Sequence, residues 1–307
     1  MTTLQDMTAM EDRAAVPTLK LCGEFSLRSP LSHTGEAVST VAYLVQDPVV
    51  QPDGTVTEVF CYNGNAWRGQ LRDLMARRVA DAVGGNLNIN AFHFLFSGGR
   101  LDKQEDTLDL AAARSLRASL PMLGLLGGGI GSQRLGGRLR VFGSYPVCRE
   151  AMPILPERLH EDAARVIYKS LTFEKEFTRR DDGKQEDGDR YMMPVNSPRK
   201  LNAKGKVTSD QMRMTSELHM AHVNSLEVGC LLLALMDFAE APCIGGQGNR
   251  GHGLVNLRYR EAGAAQDFFC WRTGGPPCCP TRGRWSGCYT AFLETARERM
   301  LEALACV

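Results

Sequence analysis

Arginines beside glycines form the most chemically informative pattern in this sequence. The segment 62–72, YNGNAWRGQLR, places Arg68 and Arg72 four residues apart, on one face of a helix that follows an Asn-Gly turn. The N–H groups at a helix N-terminus attract phosphate, and arginines add fixed positive charge beside them. A capped helix with solvated arginines explains the same residues, and the local pattern does not decide between the two interpretations.

A second glycine-rich segment, 124–143, carries Arg134, Arg138 and Arg140. Glycine allows a backbone to approach a partner closely, and arginines supply charge for a polyanion. Three arginines in so short a span favour packing against a polyanion over an ordinary flexible surface loop. We therefore predict that these arginines contact a polyanion.

A third segment, 244–255, reads IGGQGNRGHGLV. It lacks the Lys-Ser/Thr pair of a P-loop, and it precedes a strand, so a dinucleotide fingerprint does not fit. We interpret it as a loop whose backbone N–H groups and arginine lie against a sugar–phosphate chain. The residues of this loop that are predicted to contact that chain are Gly246, Gly248, Asn249, Arg250, Gly251 and His252.

Residues 174–212 are low in apolar content and dense in charge, which favours a long hairpin or a mobile loop outside the core. The first arm mixes Arg179 and Arg180 with acidic residues, whereas the second arm, with Lys200, is basic. Apolar residues 191–193 lie near the middle, so such a hairpin is able to wedge between stacked bases. A solvated loop is the alternative interpretation.

Candidate catalytic residues are isolated in the sequence. His33 lies in a loop after the first strand without an acid or base partner. Asp47 is equally suited to bind a metal and to cap the turn before Pro48. The cysteines Cys270 to Cys288 contain no C-x-x-C pair, so zinc is disfavoured. We expect no catalytic residue, no metal site and no cofactor.

Length and charge limit the classes of protein to which this chain can belong. The chain has 307 residues and a net charge of +1 from 36 basic and 35 acidic residues. This balance excludes a uniformly basic coat but permits a local basic surface. The longest apolar stretch, residues 229–236, is far below the ~20 residues that cross a bilayer. The first residues lack an apolar core, so we expect no signal peptide and a cytoplasmic location.

The elements that position these motifs follow from hydrophobic periodicity. Alternating or aromatic-rich segments predict strands at 18–27, 56–62, 89–96, 139–147, 214–223 and 254–260. Three- and four-residue spacing predicts helices at 66–83, 106–119, 156–173, 226–239 and 285–305. Residues 28–58 and 262–283 are expected to be loops, and 1–17 a flexible tail before one domain at 18–307. The mixed order favours an α+β fold with an antiparallel or mixed sheet.

Four motifs in this order resemble the RAMP superfamily of CRISPR proteins, specifically the repeated backbone subunit of effector complexes. Residues 27–35, LRSPLSHTG, look like that family's "S-P-L-H-x-G" turn, and 62–72 resemble its "P-G-S-S-L-R-G-x-L-R" helix start. Residues 123–128 are similar to its "L-F-G" segment, and the strand at 137–147 is similar to the strand that follows that segment. Residues 244–253 resemble its "G-G-x-x-x-R-G-x-G" loop. The matches span residues 18–260.

The resemblance implies an RRM/ferredoxin-like palm, a helical Gly-rich insertion at 84–140 and a thumb hairpin at 174–212. The segment 63–69, NGNAWRG, is most like the type IV backbone protein. The implied function is a non-catalytic subunit that oligomerises along a CRISPR guide RNA. The implied partners are the guide RNA, further copies of the chain, other effector subunits and a complementary target nucleic acid, with no membrane.

Two enzyme functions are alternatives within the same superfamily. In one, the chain resembles the type III backbone nucleases, which cut target RNA through an aspartate in the loop after the first strand, and Asp47 takes that role. In the other, it is a guide-processing RAMP endoribonuclease with His33 as base. The family pattern around Asp47 is not clearly present, which favours the non-catalytic interpretation.

We predict that residues 178–210 become ordered only against RNA and a neighbouring subunit, because the segment is poor in apolar residues and its second arm is basic. Limited proteolysis of the free protein should cut there first, and guide RNA should protect the segment. Equal cleavage with and without RNA would show an ordinary loop.

Overall fold

The computed structural model describes residues 15–16, 18–38, 41–99, 109–130, 133–179, 201–208, 211–280 and 282–306. Its strands are β1 (Ala15–Val16), β2 (Leu19–Leu27), β3 (Thr34–Val38), β4 (Val41–Leu44), β5 (Gln46–Val50), β6 (Val56–Phe60), β7 (Gly128–Ile130), β8 (Gln133–Leu135), β9 (Leu139–Val141), β10 (Thr172–Arg179), β11 (Leu201–Thr208), β12 (Arg213–Met220), β13 (Val223–Asn224), β14 (Val255–Glu261) and β15 (Asp267–Trp271). Its α-helices are α1 (Gly64–Val83), α2 (Ile89–Ser97), α3 (Leu110–Ser119), α4 (Pro121–Leu126), α5 (His160–Ala164), α6 (Ser225–Phe238), α7 (Gly287–Thr295) and α8 (Arg297–Ala305). Among these described helices, none combines the length and apolarity that a membrane span requires.

The central sheet has five strands in the order β15-β14-β2-β12-β9, and every neighbouring pair is antiparallel. Helix α1 lies between β2 and β9 in the chain, and α6 lies between β12 and β14. Without β15, this is the strand–helix–strand–strand–helix–strand order of a ferredoxin-like fold. The predicted α+β class with an antiparallel sheet is therefore confirmed.

One face of this sheet is covered by helices α1 and α6. Strand β2 alternates buried and partly exposed residues, so Leu21 and Phe25 point to the covered side. The Trp67 ring of α1 lies edge-on to Phe25 at 5.5 Å and to Phe238 of α6 at 4.9 Å. These three rings join the sheet and both helices into one core.

Helix α1 begins at Gly64, slightly before the predicted start at residue 66. The Asn63 side chain accepts a hydrogen bond from the Asn65 N–H and so caps the first turn. A Cβ on Gly64 would lie 2.4 Å from the Val141 carbonyl oxygen, so a glycine is required where the chain after β9 crosses the helix start.

Residues 28–58, expected to form a loop, contain the strands β3, β4 and β5, and β6 is the strand expected at 56–62. Strands β5 and β6 pair with each other, and β3 pairs with β4. Strand β4 also pairs in parallel with β11, whose antiparallel partner is β10. The arms of the expected hairpin at 174–212 therefore join a second sheet, while residues 180–200 and 209–210 lie outside the described residues.

The strand expected at 89–96 is wrong, because residues 89–97 form helix α2. The Asn88 side chain caps it by accepting from the Ala91 N–H, and Gly98 ends it at φ 85°. Ala91, Phe94 and Leu95 share the buried face at helical spacing. Of the aromatic residues that suggested a strand, Phe94 lies on this buried face, whereas Phe92 is exposed.

Several other boundaries also differ from expectation. The long helix expected at 156–173 is replaced by short turns, by α5 and by the start of β10, because Arg149–Leu171 folds as a separate small cluster around Val147 and Leu159. The strand expected at 139–147 is regular only as β9. The C-terminal helix is divided at Ala296 into α7 and α8, and β15 occupies part of the loop expected at 262–283.

A buried hydrogen-bonded chain fixes α1 to the sheet. The Trp67 indole N–H donates to the Tyr259 hydroxyl over 2.9 Å, and that hydroxyl lies 2.6 Å from Ser216 Oγ. Tyr259 is fully buried on β14, and Ser216 is buried on β12. One phenolic oxygen therefore links α1 to two central strands.

We predict that Tyr259→Phe lowers the free energy of unfolding by about 1–3 kcal/mol, since it leaves buried polar groups of Trp67 and Ser216 without their partner. Urea denaturation followed by tryptophan fluorescence measures the change. Adding Ser216→Ala to Tyr259→Phe should cost less than the sum of the two single changes, because the partners share one hydroxyl. Strict additivity would contradict the shared role.

Candidate nucleic-acid interface

Three sequence motifs meet at one end of the central sheet. We call this surface the loop junction and define it as residues 28–35 after β2, residues 61–65 at the start of α1, and residues 243–253 before β14. Two of these segments follow or precede neighbouring strands, and the third begins the helix that covers them. The topology therefore brings together motifs that lie far apart in the sequence.

Backbone hydrogen bonds hold the first and third segments together. The Gly246 N–H donates to the Ser32 carbonyl over 2.7 Å, and the Gly253 N–H donates to the Pro30 carbonyl over 2.8 Å. The Ser29 hydroxyl accepts from the Leu254 N–H at 2.9 Å. This pairing shapes the glycine loop without using its exposed side chains.

The start of α1 is joined to both of these segments. His33 Nε2 accepts the Asn63 N–H over 3.3 Å, and the His33 ring lies edge-on to Tyr62 at 5.0 Å. From the first turns of α1, the Gln70 side-chain amide donates to the Cys243 carbonyl over 2.6 Å. The helix N-terminus is therefore fixed beside the glycine loop.

The root of the β10–β11 hairpin also lies at the loop junction. The Leu31 N–H donates to Thr208 Oγ1 over 3.0 Å, and the Thr208 N–H donates back to the Leu31 carbonyl over 3.1 Å. Thr208 is the last residue of β11 and is fully buried. The end of β11 is thus fixed to the loop junction.

The exposed part of the loop junction includes glycine backbone, polar side chains and arginines. Gly246, Gly248, Asn249, Arg250 and Gly251 are all exposed. Exposed Arg28 adds a second cation. It lies in the 27–35 motif but was not among the residues predicted to bind RNA. His252 is only 2% exposed, so its side chain supports the loop from within.

Arg68 and Arg72 are directed into the protein. The Arg68 guanidinium donates to the carbonyls of Leu139 and Leu126, and Arg72 donates to those of Leu126, Gly127 and Leu95. Burial lowers the pKa of Arg68, and burial together with Arg68 lowers that of Arg72 to about 10. Both arginines therefore serve the packing of α4 on α1, and phosphate contact by them stays a prediction.

Arg138 is also used by the fold. Its guanidinium lies 2.8 and 2.9 Å from the two carboxylate oxygens of Glu227, whose side chain is 3% exposed. Burial raises the pKa of Glu227, and Arg138 acts in the opposite direction. Glu227 also completes the capping box of α6 with Asn224. Arg138 thus neutralises a buried carboxylate at a helix start.

The remaining residues that were predicted to bind RNA lie on different elements. Arg134 is exposed on β8, and Arg140 is exposed on β9. Arg179 ends β10 opposite Leu201. Arg180 and Lys200 lie outside the described residues. Among the described residues, the glycine loop, the α1 start and the 28–35 turn come together at the loop junction.

The two candidate catalytic side chains have structural partners. His33 receives a backbone N–H at Nε2, and burial lowers its pKa. Asp47 accepts the Tyr145 hydroxyl over 2.7 Å. Burial and the neighbouring Asp47 raise the pKa of Cys61, in the same cluster, to about 12. A thiol with that pKa is protonated at neutral pH and is not a nucleophile.

The cysteines near the C-terminus are the residues that a zinc site in this chain would use. All ten cysteines lie in described parts of the chain and are free thiols. Cys270 and Cys278 pair through their backbones, with N–H···O distances of 2.8 and 2.7 Å. Across the residues that the structure describes, no group of three or more His, Cys, Asp or Glu side chains is placed to hold a metal ion.

Comparison with known proteins gives a likeness of fold. No protein-family model matches the chain, and no curated protein matches its sequence. Chains of solved structures do match it, and one of these belongs to a "Type IV-B CRISPR Complex". That chain is similar with a TM-score of 0.57 and 16% sequence identity, over 84% of this chain and 95% of the other. At this identity the likeness concerns the fold.

We predict that Gly253→Ala disrupts the loop junction more than Gly251→Ala does. Both glycines have left-handed φ values, 78° and 77°, which cost an alanine about 1–2 kcal/mol. A Cβ on Gly253 would lie 1.9 Å from the Ile244 carbonyl oxygen, whereas one on Gly251 has nothing within 4 Å. Chemical denaturation compares the two variants, and equal losses of stability would contradict this packing.

Proposed function

We propose that this chain is a non-catalytic RNA-binding backbone subunit of a CRISPR effector complex of type IV character. Its copies assemble along a guide RNA, and the loop junction holds the sugar–phosphate chain of that RNA. The other partners are further effector subunits and a complementary target nucleic acid. Such a complex acts in the cytoplasm, where guide and target are present.

The observation that carries this proposal is the convergence of the three motifs at the loop junction. Exposed glycine backbone, Arg28 and Arg250 lie beside the fixed N-terminus of α1. Such a surface contacts phosphate and sugar and does not read base edges. Specificity for a target then comes from base pairing with the guide. The similarity to a chain of a "Type IV-B CRISPR Complex" supports the same assignment.

The enzyme alternatives are less well supported. A general base needs a nitrogen or oxygen within reach of the proton that it removes. His33 Nε2 already accepts a backbone N–H, and Asp47 accepts a tyrosine hydroxyl. In each case the side chain contributes to local structure. The chain is therefore assigned a scaffold role, and neither residue is assigned a catalytic one.

We predict that Arg250→Gln reduces the salt dependence of RNA binding. Each phosphate contact on a single strand contributes a slope of about 0.7 in log K against log salt. The variant should lose about that amount, because Arg250 is exposed at the loop junction. The matched control is Arg165→Gln, which removes an exposed arginine paired with Glu161 elsewhere. Equal slopes for wild type and Arg250→Gln would refute the assignment.

We predict that the purified protein binds labelled guide RNA and leaves it intact, with and without Mg²⁺. Negative-stain images of the co-expressed ribonucleoprotein should show repeating subunits along the RNA. Mg²⁺-dependent cleavage that Asp47→Ala abolishes would establish the type III-like nuclease. Metal-free cleavage that His33→Ala abolishes would establish the processing enzyme.

A further inference from the structure

A row of polar and charged side chains crosses three strands on the sheet face opposite α1 and α6. His219 on β12 is paired in register with Lys20 on β2 and with Arg140 on β9. The flanking residues Leu218 and Met220 are buried, so His219 points to the other face. Lys20 and Arg140 are both exposed. Two cations therefore flank one imidazole ring.

An exposed aromatic ring lies against this row. Phe142 is 42% exposed, and its ring centroid lies 4.6 Å from that of His219 at an interplanar angle of 62°. The Phe142 N–H donates to the Glu217 carbonyl over 3.2 Å, which fixes the backbone that carries the ring. We call Lys20, Arg140, Phe142 and His219 the Phe142 patch.

The electrostatics of the patch suit an uncharged, planar ligand between phosphates. Burial lowers the pKa of His219, Glu217 opposes this change, and Lys20 and Arg140 add to it. The imidazole ring is therefore neutral at neutral pH and able to stack on a base. Glu217 Oε2 lies 3.8 Å from His219 Nε2. Because Lys20 and Arg140 carry two positive charges against the one negative charge of Glu217, the patch has a net positive charge.

The Phe142 patch is continuous with the loop junction. The Tyr62 and Ser144 backbones exchange hydrogen bonds of 3.0 and 2.9 Å. Phe142 lies two residues before Ser144, about 7 Å along an extended chain. The backbone of Phe142 also closes over Gly64 at the start of α1. The exposed Phe142 therefore lies beside the α1 start.

We propose that the Phe142 patch stacks one base of the guide RNA held at the loop junction, with Lys20 and Arg140 contacting the flanking phosphates. This inference rests on the proposed function and adds a stacking site to it. Aromatic side chains stack on bases of any sequence, so the site fits a guide whose sequence varies. The patch offers charge complementary to phosphate, which favours RNA over another protein as its occupant.

The test is RNA binding by Phe142→Ala, with Phe92→Ala as the matched control. Phe92 is also an exposed phenylalanine, 44% accessible, and its ring stacks on Phe96. Loss of one stacked base should weaken binding by about 5- to 150-fold, without a change in salt slope, because no charge is removed. Phe142→Trp should retain wild-type affinity, and Phe92→Ala should bind as wild type does.

A guide RNA carrying 2-aminopurine at successive positions locates the stacked base. One position should show quenched fluorescence on wild type and Phe142→Trp, and recovered fluorescence on Phe142→Ala. Wild-type affinity of Phe142→Ala, or an equal loss for Phe92→Ala, would overturn the stacking site. Normal RNA binding with lost assembly of copies would instead show that the patch is a protein contact, and would also overturn it.

The two proposals fail in different ways. If Arg250→Gln lowers the salt slope while Phe142→Ala binds as wild type does, RNA binding at the loop junction stands and the stacking site is refuted. If wild-type protein does not bind RNA, the proposed function fails and the stacking site fails with it. Thermal unfolding of each variant checks that it is folded.

Discussion

The position of the Trp67 ring is the constraint on which the rest of this structure depends. The ring fills the space between Phe25 of the sheet and Phe238 of α6, and its indole N–H reaches the hydroxyl of Tyr259. Because a buried N–H without a partner is costly, α1 has one favourable position and rotation on the sheet. That position brings the N-terminus of α1 to the end of β2, where the loop junction forms.

The loop junction in turn combines a rigid base with an exposed backbone. Hydrogen bonds to Pro30 and Ser32 fix the glycine loop from below, and buried His252 supports it from within. The exposed surface of the loop includes glycines, Asn249 and Arg250. In the proposed function, this arrangement approaches a sugar–phosphate chain closely and holds it in one shape. This is the requirement for a subunit that presents an RNA strand for pairing.

Sequence patterns predicted the elements that carry strong periodicity. The spacing of Leu71, Met75 and Val79 gave α1, and alternation gave β2, because each depends on which face meets the core. The helix α2 was missed, since aromatic residues suit a strand and a buried helical face equally. The hydrogen-bond partners of Arg68 and Arg72 were also not predictable. The carbonyls of Leu126 and Gly127 are distant in the sequence, and only the folded chain brings them to these arginines. An arginine binds a carbonyl or a phosphate with the same donors.

The most direct test of RNA binding at the loop junction is zero-length ultraviolet crosslinking of the protein to its guide RNA, with the crosslinked peptides identified by mass spectrometry. The account predicts crosslinks in the peptides that contain residues 28–35, 61–65 and 243–253. Crosslinks confined to peptides outside these three segments would contradict it.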